Sequence, residues 1–115
     1  MAGFEDLEVW KRSVELSAEV YRETAELRDL GFRDQITRSC LSIPSNIAEG
    51  LERDTVADKC KFLTYSRASC GEFRTQVVVG TRAGFIVTET ANKWSQESKE
   101  ISAMINGLIR SIRRN

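Results

Sequence analysis

Residues 35–50 read QITRSCLSIPSNIAEG, and their spacing decides the fold. Ile36, Cys40, Ile43 and Ile47 fall at i, i+4, i+7 and i+11, one face of an α-helix. Pro44, the chain's only proline, lies inside that run, where it lacks a backbone donor and crowds the carbonyl of Cys40. A helix that bends at Pro44 and stops at Gly50 is predicted.

Outward from this segment, Gly31, Gly50 and Gly84 each follow a periodic stretch, as helix-terminating glycines do. They divide the chain into four helical blocks with short connections, which make consecutive helices antiparallel neighbours. The predicted fold is therefore all-α, an antiparallel up-down-up-down four-helix bundle forming a single domain over 1–115. The first block runs from about Asp6 to Asp29. Leu7, Trp10, Val14, Ala18, Tyr21 and Ala25 form its expected core stripe, and Val9, Leu16, Val20 and Leu27 form a second apolar row. One core needs only an arc of each helix, so the second row is assigned to contact with another subunit. The second block spans Phe32 to Gly50. The third opens on Thr55-x-x-Asp58, a capping sequence, and continues through Val56, Cys60, Leu63, Cys70 and Val77 to about Ala83. Val77-Val78-Val79 favours a strand in isolation, but helical spacing on both sides predicts that it stays helical. The fourth block takes Thr88 as N-cap. It carries Trp94, Ser98, Ile101, Ile105, Leu108 and Ile112 in alternating four- and three-residue steps, suited to helices crossing at about 20°.

A chain of 115 residues, 41% hydrophobic and 30% charged, has the composition of one globular domain. No apolar run is long enough to span a membrane. The start, MAGFEDLEVWK, is acidic where a secretory signal is basic and then apolar, so the cytoplasm is expected. Cys40, Cys60 and Cys70 are odd in number and lack C-x-x-C spacing, which argues against a disulfide framework or a zinc site. The absence of histidine excludes His-dependent triads and removes the commonest metal ligand. No cofactor or metal is expected. Net charge is zero but unevenly spread. Residues 1–58 hold seven basic and thirteen acidic side chains (net −6), and residues 59–115 hold ten basic and four acidic (net +6). Either the two halves neutralise each other, within or between subunits, or one basic face is left for a polyanion. Mutual pairing is the simpler arrangement.

Three groups of residues are candidates for function. Gln35, Arg38, Ser39, Ser42, Asn46, Glu49, Glu72 and Gln76 are polar residues at helical spacings in the second and third blocks. Antiparallel packing would set Arg38 or Asn46 against Glu72, so Arg38, Ser42, Asn46, Glu49, Glu72 and Gln76 are expected to form a structural hydrogen-bonded network. Ser42 or Asn46 would repair the backbone at Pro44. A catalytic alternative needs Glu49 and Glu72 to hold a substrate between them. No catalytic residue is assigned. Lys59, Lys61, Arg67, Arg74 and Arg82 form a basic row on the third block, joined by Arg110, Arg113 and Arg114 at the chain's end. Such a row is usually a solvated face; as a site it would contact phosphates, with Tyr65 and Phe73 the only aromatics near enough to stack on bases. Phe4, Val9, Trp10, Leu16 and Val20 are the candidate oligomer interface, Phe4 and Trp10 alternatively forming a hydrophobic staple on the first helix.

The chain resembles the four-helix-bundle family named for proteins encoded in intervening sequences of bacterial large-subunit ribosomal RNA genes. The resemblance rests on Phe4-x-x-Leu7-x-Val9-Trp10, the Gln35–Gly50 segment, Phe62-Leu63 and Ser69-x-x-Glu72-x-x-Thr75-Gln76. It implies a ring-shaped homo-oligomer, a homopentamer, and a kinship with the accessory protein of diversity-generating retroelements, which binds nucleic acid and a reverse transcriptase. The function it implies is a non-enzymatic pentameric adaptor for RNA or a nucleic-acid-processing enzyme. The alternative is a purely protein-binding oligomeric scaffold with no nucleic-acid affinity.

Overall fold

The computed structural model describes residues 3–115, which form four α-helices and no strand. A short 3₁₀ turn, Phe4–Asp6, leads into α1 (Glu8–Glu23), followed by α2 (Leu30–Leu51), α3 (Val56–Arg82) and α4 (Thr88–Arg114). No helix is long and apolar enough to cross a membrane. The molecule measures 46 × 20 × 19 Å, little longer than its longest helices. Packing is most extensive between α2 and α3, then between α3 and α4, and least between α1 and α4.

Local chemistry sets the helix starts. The Asp29 side chain accepts from the Phe32 amide at 3.0 Å to cap α2, and the Thr55 hydroxyl accepts from the Asp58 amide at 3.1 Å to cap α3. Helix α4 begins one residue earlier than expected: Val87 is the N-cap and Thr88 the first helical residue. The triple valine is helical, since Val77 is fully packed and holds α3 in place.

Only one of the three punctuating glycines ends a helix by its conformation. Gly84 has φ +83° after α3, the left-handed geometry that favours glycine. Gly31 lies in the first turn of α2, and Gly50 lies inside it. A Cβ on Gly50 would stand 3.0 Å from the Lys59 carbonyl oxygen and 3.2 Å from the Phe62 Cβ. Gly50 is there because α2 and α3 approach closely.

The core corrects the reading of α1. Val9, Leu16 and Val20, expected at an interface between subunits, are buried inside the subunit at 5%, 5% and 0% exposure. The expected core stripe is instead half-buried at Leu7, Trp10, Val14 and Ala18 and exposed at Tyr21 and Ala25. Ser13, Ser17 and Thr24 complete the true inward row. The Ser13 hydroxyl donates to the Trp10 carbonyl at 2.9 Å and that of Thr24 to the Val20 carbonyl at 2.7 Å. A hydroxyl satisfied on its own helix can face the core, so a row read from apolar residues alone misses it. Phe4 and Trp10 meet each other in a T-shaped contact, ring centres 5.4 Å apart, and so brace the start of α1 within the chain.

Candidate nucleic-acid interface

Hydrogen bonds between helices fix the register. Along α2 and α3, Ser39 meets Gln76 (2.5 Å), Ser42 meets Ser69 (2.6 Å) and Ser66 donates to the Ile43 carbonyl (2.8 Å). Along α3 and α4, Arg67 donates to the Asn106 side chain (2.6 Å), Arg74 to the Ser98 hydroxyl (3.2 Å), and Ser98 to the Cys70 carbonyl (3.2 Å). Small hydroxyls thus line both seams, and no buried side-chain polar atom among the described residues lacks a partner.

This seam is not the expected network. Ser42, Asn46 and Gln76 take part, with the Asn46 amide donating to the Ser42 carbonyl at 2.9 Å. Arg38, Glu49 and Glu72 do not: all three are exposed, and Glu49 pairs with Arg53 at 2.6 Å, one turn along and just past the end of α2. The register explains the failure. Gly50 lies against Lys59, whereas Glu72 lies at the level of Ser39 and Ser42, so Glu49 and Glu72 are separated by roughly 12 Å of helix. They cannot hold one substrate between them. Around Pro44, α2 runs unbroken from Leu30 to Leu51, with Ser66 and Asn46 donating to the neighbouring carbonyls of Ile43 and Ser42. Buried Cys40 and Cys70 pack at this level, and desolvation pushes both thiols up, Cys70 to about 11, which leaves them unreactive.

The cations divide by location. Lys61, Arg67, Arg82, Arg110, Arg113 and Arg114 are exposed and Arg74 is half-buried. None makes an ion pair among the described residues; the pairs are Lys11–Glu8, Arg12–Glu97, Arg12–Glu100, Arg53–Glu49 and Lys93–Glu19. The expected mutual neutralisation of the two halves therefore does not reach the basic row within one subunit. Lys59 of the same row donates to the Leu51 carbonyl at 3.2 Å and so closes the end of α2. Arg67 and Arg74 reach across to α4 and anchor on neutral partners, which orient the guanidinium groups without cancelling their charge. Arg113 lies across from Lys61, lining the same cleft. Arg67 and Arg74 mark out a groove between α3 and α4, and Lys61 and Arg113 flank the cleft at its end; Lys61 to Arg74 spans about 20 Å at the helical rise per residue. Arg110 lies on the α4 side, with Asn106 one turn before it and Arg113 one turn after. Lys99 shares that face by spacing; the sequence reading missed it because an isolated lysine carries no local signal. Phe73 is wholly buried and unavailable for stacking, whereas Tyr65 is exposed.

A second polar cluster, between α1 and α4, also escaped the sequence reading. Arg12 forks onto Glu97 and Glu100 at 2.5 and 2.6 Å, and Glu19 accepts from Lys93 at 2.9 Å and from the Trp94 indole at 2.6 Å. Hydrogen bonds from Lys93 and then Trp94 hold the Glu19 carboxyl below its usual range, and the bond from Arg12 does the same for Glu100. These charges satisfy one another and fasten α1 over the loosest seam. Partners 74 to 88 residues apart leave no trace in local spacing.

Comparison with known proteins agrees with this architecture. A family model described as 23S rRNA-intervening sequence protein matches residues 5–107. A solved structure from Bacteroides thetaiotaomicron, a protein of unknown function from the S23 ribosomal protein family, superposes with a TM-score of 0.82 at 24% identity. The match covers 88% of this chain and 97% of that one. None of the curated proteins matches the chain.

Proposed function

The chain belongs to the 23S rRNA-intervening sequence protein family, and from that membership we propose that it is a non-enzymatic adaptor, a ring-shaped homopentamer of four-helix bundles that binds RNA along the α3–α4 groove. The observation that carries this reading is the set of cations without carboxylate partners along the groove, Lys61, Arg67, Arg74, Arg110 and Arg113. Cations facing solvent attract phosphates, which enter by releasing their counterions. Zero net charge means that the local row, and not the field of the whole molecule, does the attracting. Binding by one subunit is then modest and steeply dependent on salt, and a ring that repeats the groove strengthens it by multivalency.

The order of the helix contacts supports an antiparallel up-down-up-down subunit: partner numbers fall along one helix as they rise along the next. Assembly is supported by exposed apolar side chains on α2 and α3, namely Leu41, Val78 and Val79.

A gel-shift titration with labelled RNA tests the reading. The chain is expected to shift RNA at about 50 mM salt and to release most of it by about 200 mM. Arg67→Ala and Arg74→Ala should each weaken binding across sequences and reduce the salt slope by about one. If the chain ignores RNA at low salt but retains a protein partner in a pull-down, the purely protein-binding scaffold replaces this reading.

A further inference from the structure

At the end of the groove, the first three turns of α3 and the last turn of α4 flank an open cleft of about 400 Å³ that includes Lys61, Thr64, Tyr65 and Arg113 in its lining. From it we infer a binding site for a single nucleoside phosphate, the base lying against Tyr65 and the phosphate held between Lys61 and Arg113. The inference deepens the proposed RNA-binding reading by giving the groove a defined end.

Three features of the cleft agree with that ligand. Its volume lies within the range of small-molecule sites, about 300–1,000 Å³. One wall is apolar, made by Val56 and Cys60, and carries an aromatic ring. Tyr65 is held by a T-shaped contact with Phe62, centroids 5.6 Å apart, yet remains 47% exposed. A ring that is fixed in place but uncovered suits base stacking, which every base can supply. Arg113, on α4, supplies a cation opposite this wall, and Lys61 stands on the same helix as the ring, its ammonium 5.7 Å from the centre of the Phe62 ring. Neither Lys61 nor Arg113 has a carboxylate partner among the described residues, and Asp58, the acidic residue one turn before Lys61, lies outside the lining. The Thr64 hydroxyl donates to the Cys60 carbonyl at 2.8 Å, leaving its oxygen free to accept from a base or ribose donor. Apolar wall, ring and paired cations match the parts of a nucleotide, whereas inorganic phosphate would use only the cations.

Calorimetric titration of the full chain with AMP, UMP and inorganic phosphate at low salt tests the inference. Expected are one nucleotide per chain and binding of phosphate weaker by about tenfold or more. Tyr65→Ala should weaken AMP by about tenfold and leave phosphate unchanged, Tyr65→Phe should restore AMP, and Arg113→Ala should weaken both. All three substitutions fall on exposed residues, and an unchanged circular-dichroism spectrum confirms folding. No nucleotide binding, equal affinity for AMP and phosphate, or indifference of AMP to Tyr65→Ala overturns the site. Oligoribonucleotides with and without a 5′-phosphate separate the two sources. Preference for the phosphorylated strand assigns the cleft to a strand end, and equal binding assigns it to a free nucleotide. A chain that shifts RNA but takes no AMP refutes this cleft alone. One that takes AMP but shifts no RNA refutes the groove reading alone.

Discussion

Residue by residue, this bundle is decided by small side chains. Gly50 and Gly71 both lie inside helices, where glycine costs about 1 kcal/mol relative to alanine, yet their surroundings differ. At Gly50 a methyl group would press on the Lys59 carbonyl and Phe62, and a backbone oxygen has little room to yield. Gly50→Ala should therefore destabilise the chain by about 1–2 kcal/mol in denaturant unfolding, overpacking outweighing the gain in helix propensity. At Gly71 the nearest obstacle is the far end of the Arg74 side chain, in ordinary contact at 4.0 Å, so Gly71→Ala should stabilise by about 0.5–1 kcal/mol. Equal effects at the two positions would show that packing does not distinguish them. From sequence Gly50 read as a stop. Its true constraint comes from a helix that is distant until the chain folds.

At the scale of the helix, α1 carries the main correction. Its inward row is Val9, Ser13, Leu16, Val20 and Thr24, in which serine and threonine replace apolar residues without leaving an unsatisfied group. Leu16→Ala should then cost about 2–5 kcal/mol in chemical denaturation, as deletion from a packed core does. Tyr21→Ala, on the stripe that sequence favoured, should fall within about 0.5 kcal/mol of the parent because Tyr21 is 44% exposed. The reverse order would restore the sequence assignment. Helices α2 and α4 were legible because isoleucines at strict helical spacing mark their inward faces. In α4 the row ends on Ile109, with Leu108 half-buried beside it, a drift expected of a straight helix against a seven-residue repeat.

For the whole molecule, exposed apolar side chains fall on several elements, among them Tyr21 on α1, Leu30 and Leu41 on α2, and Val56, Tyr65, Val78 and Val79 on α3. The second row of α1 is consumed by the subunit's own core, while Leu41, Val78 and Val79 remain exposed on α2 and α3. An exposed helix face can accept aspartate without unfolding, since no core contact is lost. The double variant Val78→Asp, Val79→Asp should keep its circular-dichroism helicity and lose particle mass in light scattering if this face joins subunits. Unchanged mass would assign assembly elsewhere. The charge asymmetry behaves similarly. The two halves carry −6 and +6, but only the folded register reveals that Arg67 and Arg74 of α3 reach neutral partners on α4 and not the acidic residues of α1.

The sequence by itself determined the number of helices, the approximate extent of three of them, and the inward faces of α2 and α4. Those follow from local periodicity and capping, which act within a few residues. Only tertiary structure decided which row of α1 turns inward, why Gly50 must be small, and which cations remain without a carboxylate. Each of these depends on what an opposing helix presents at the same height, and helical register couples residues far apart in the chain.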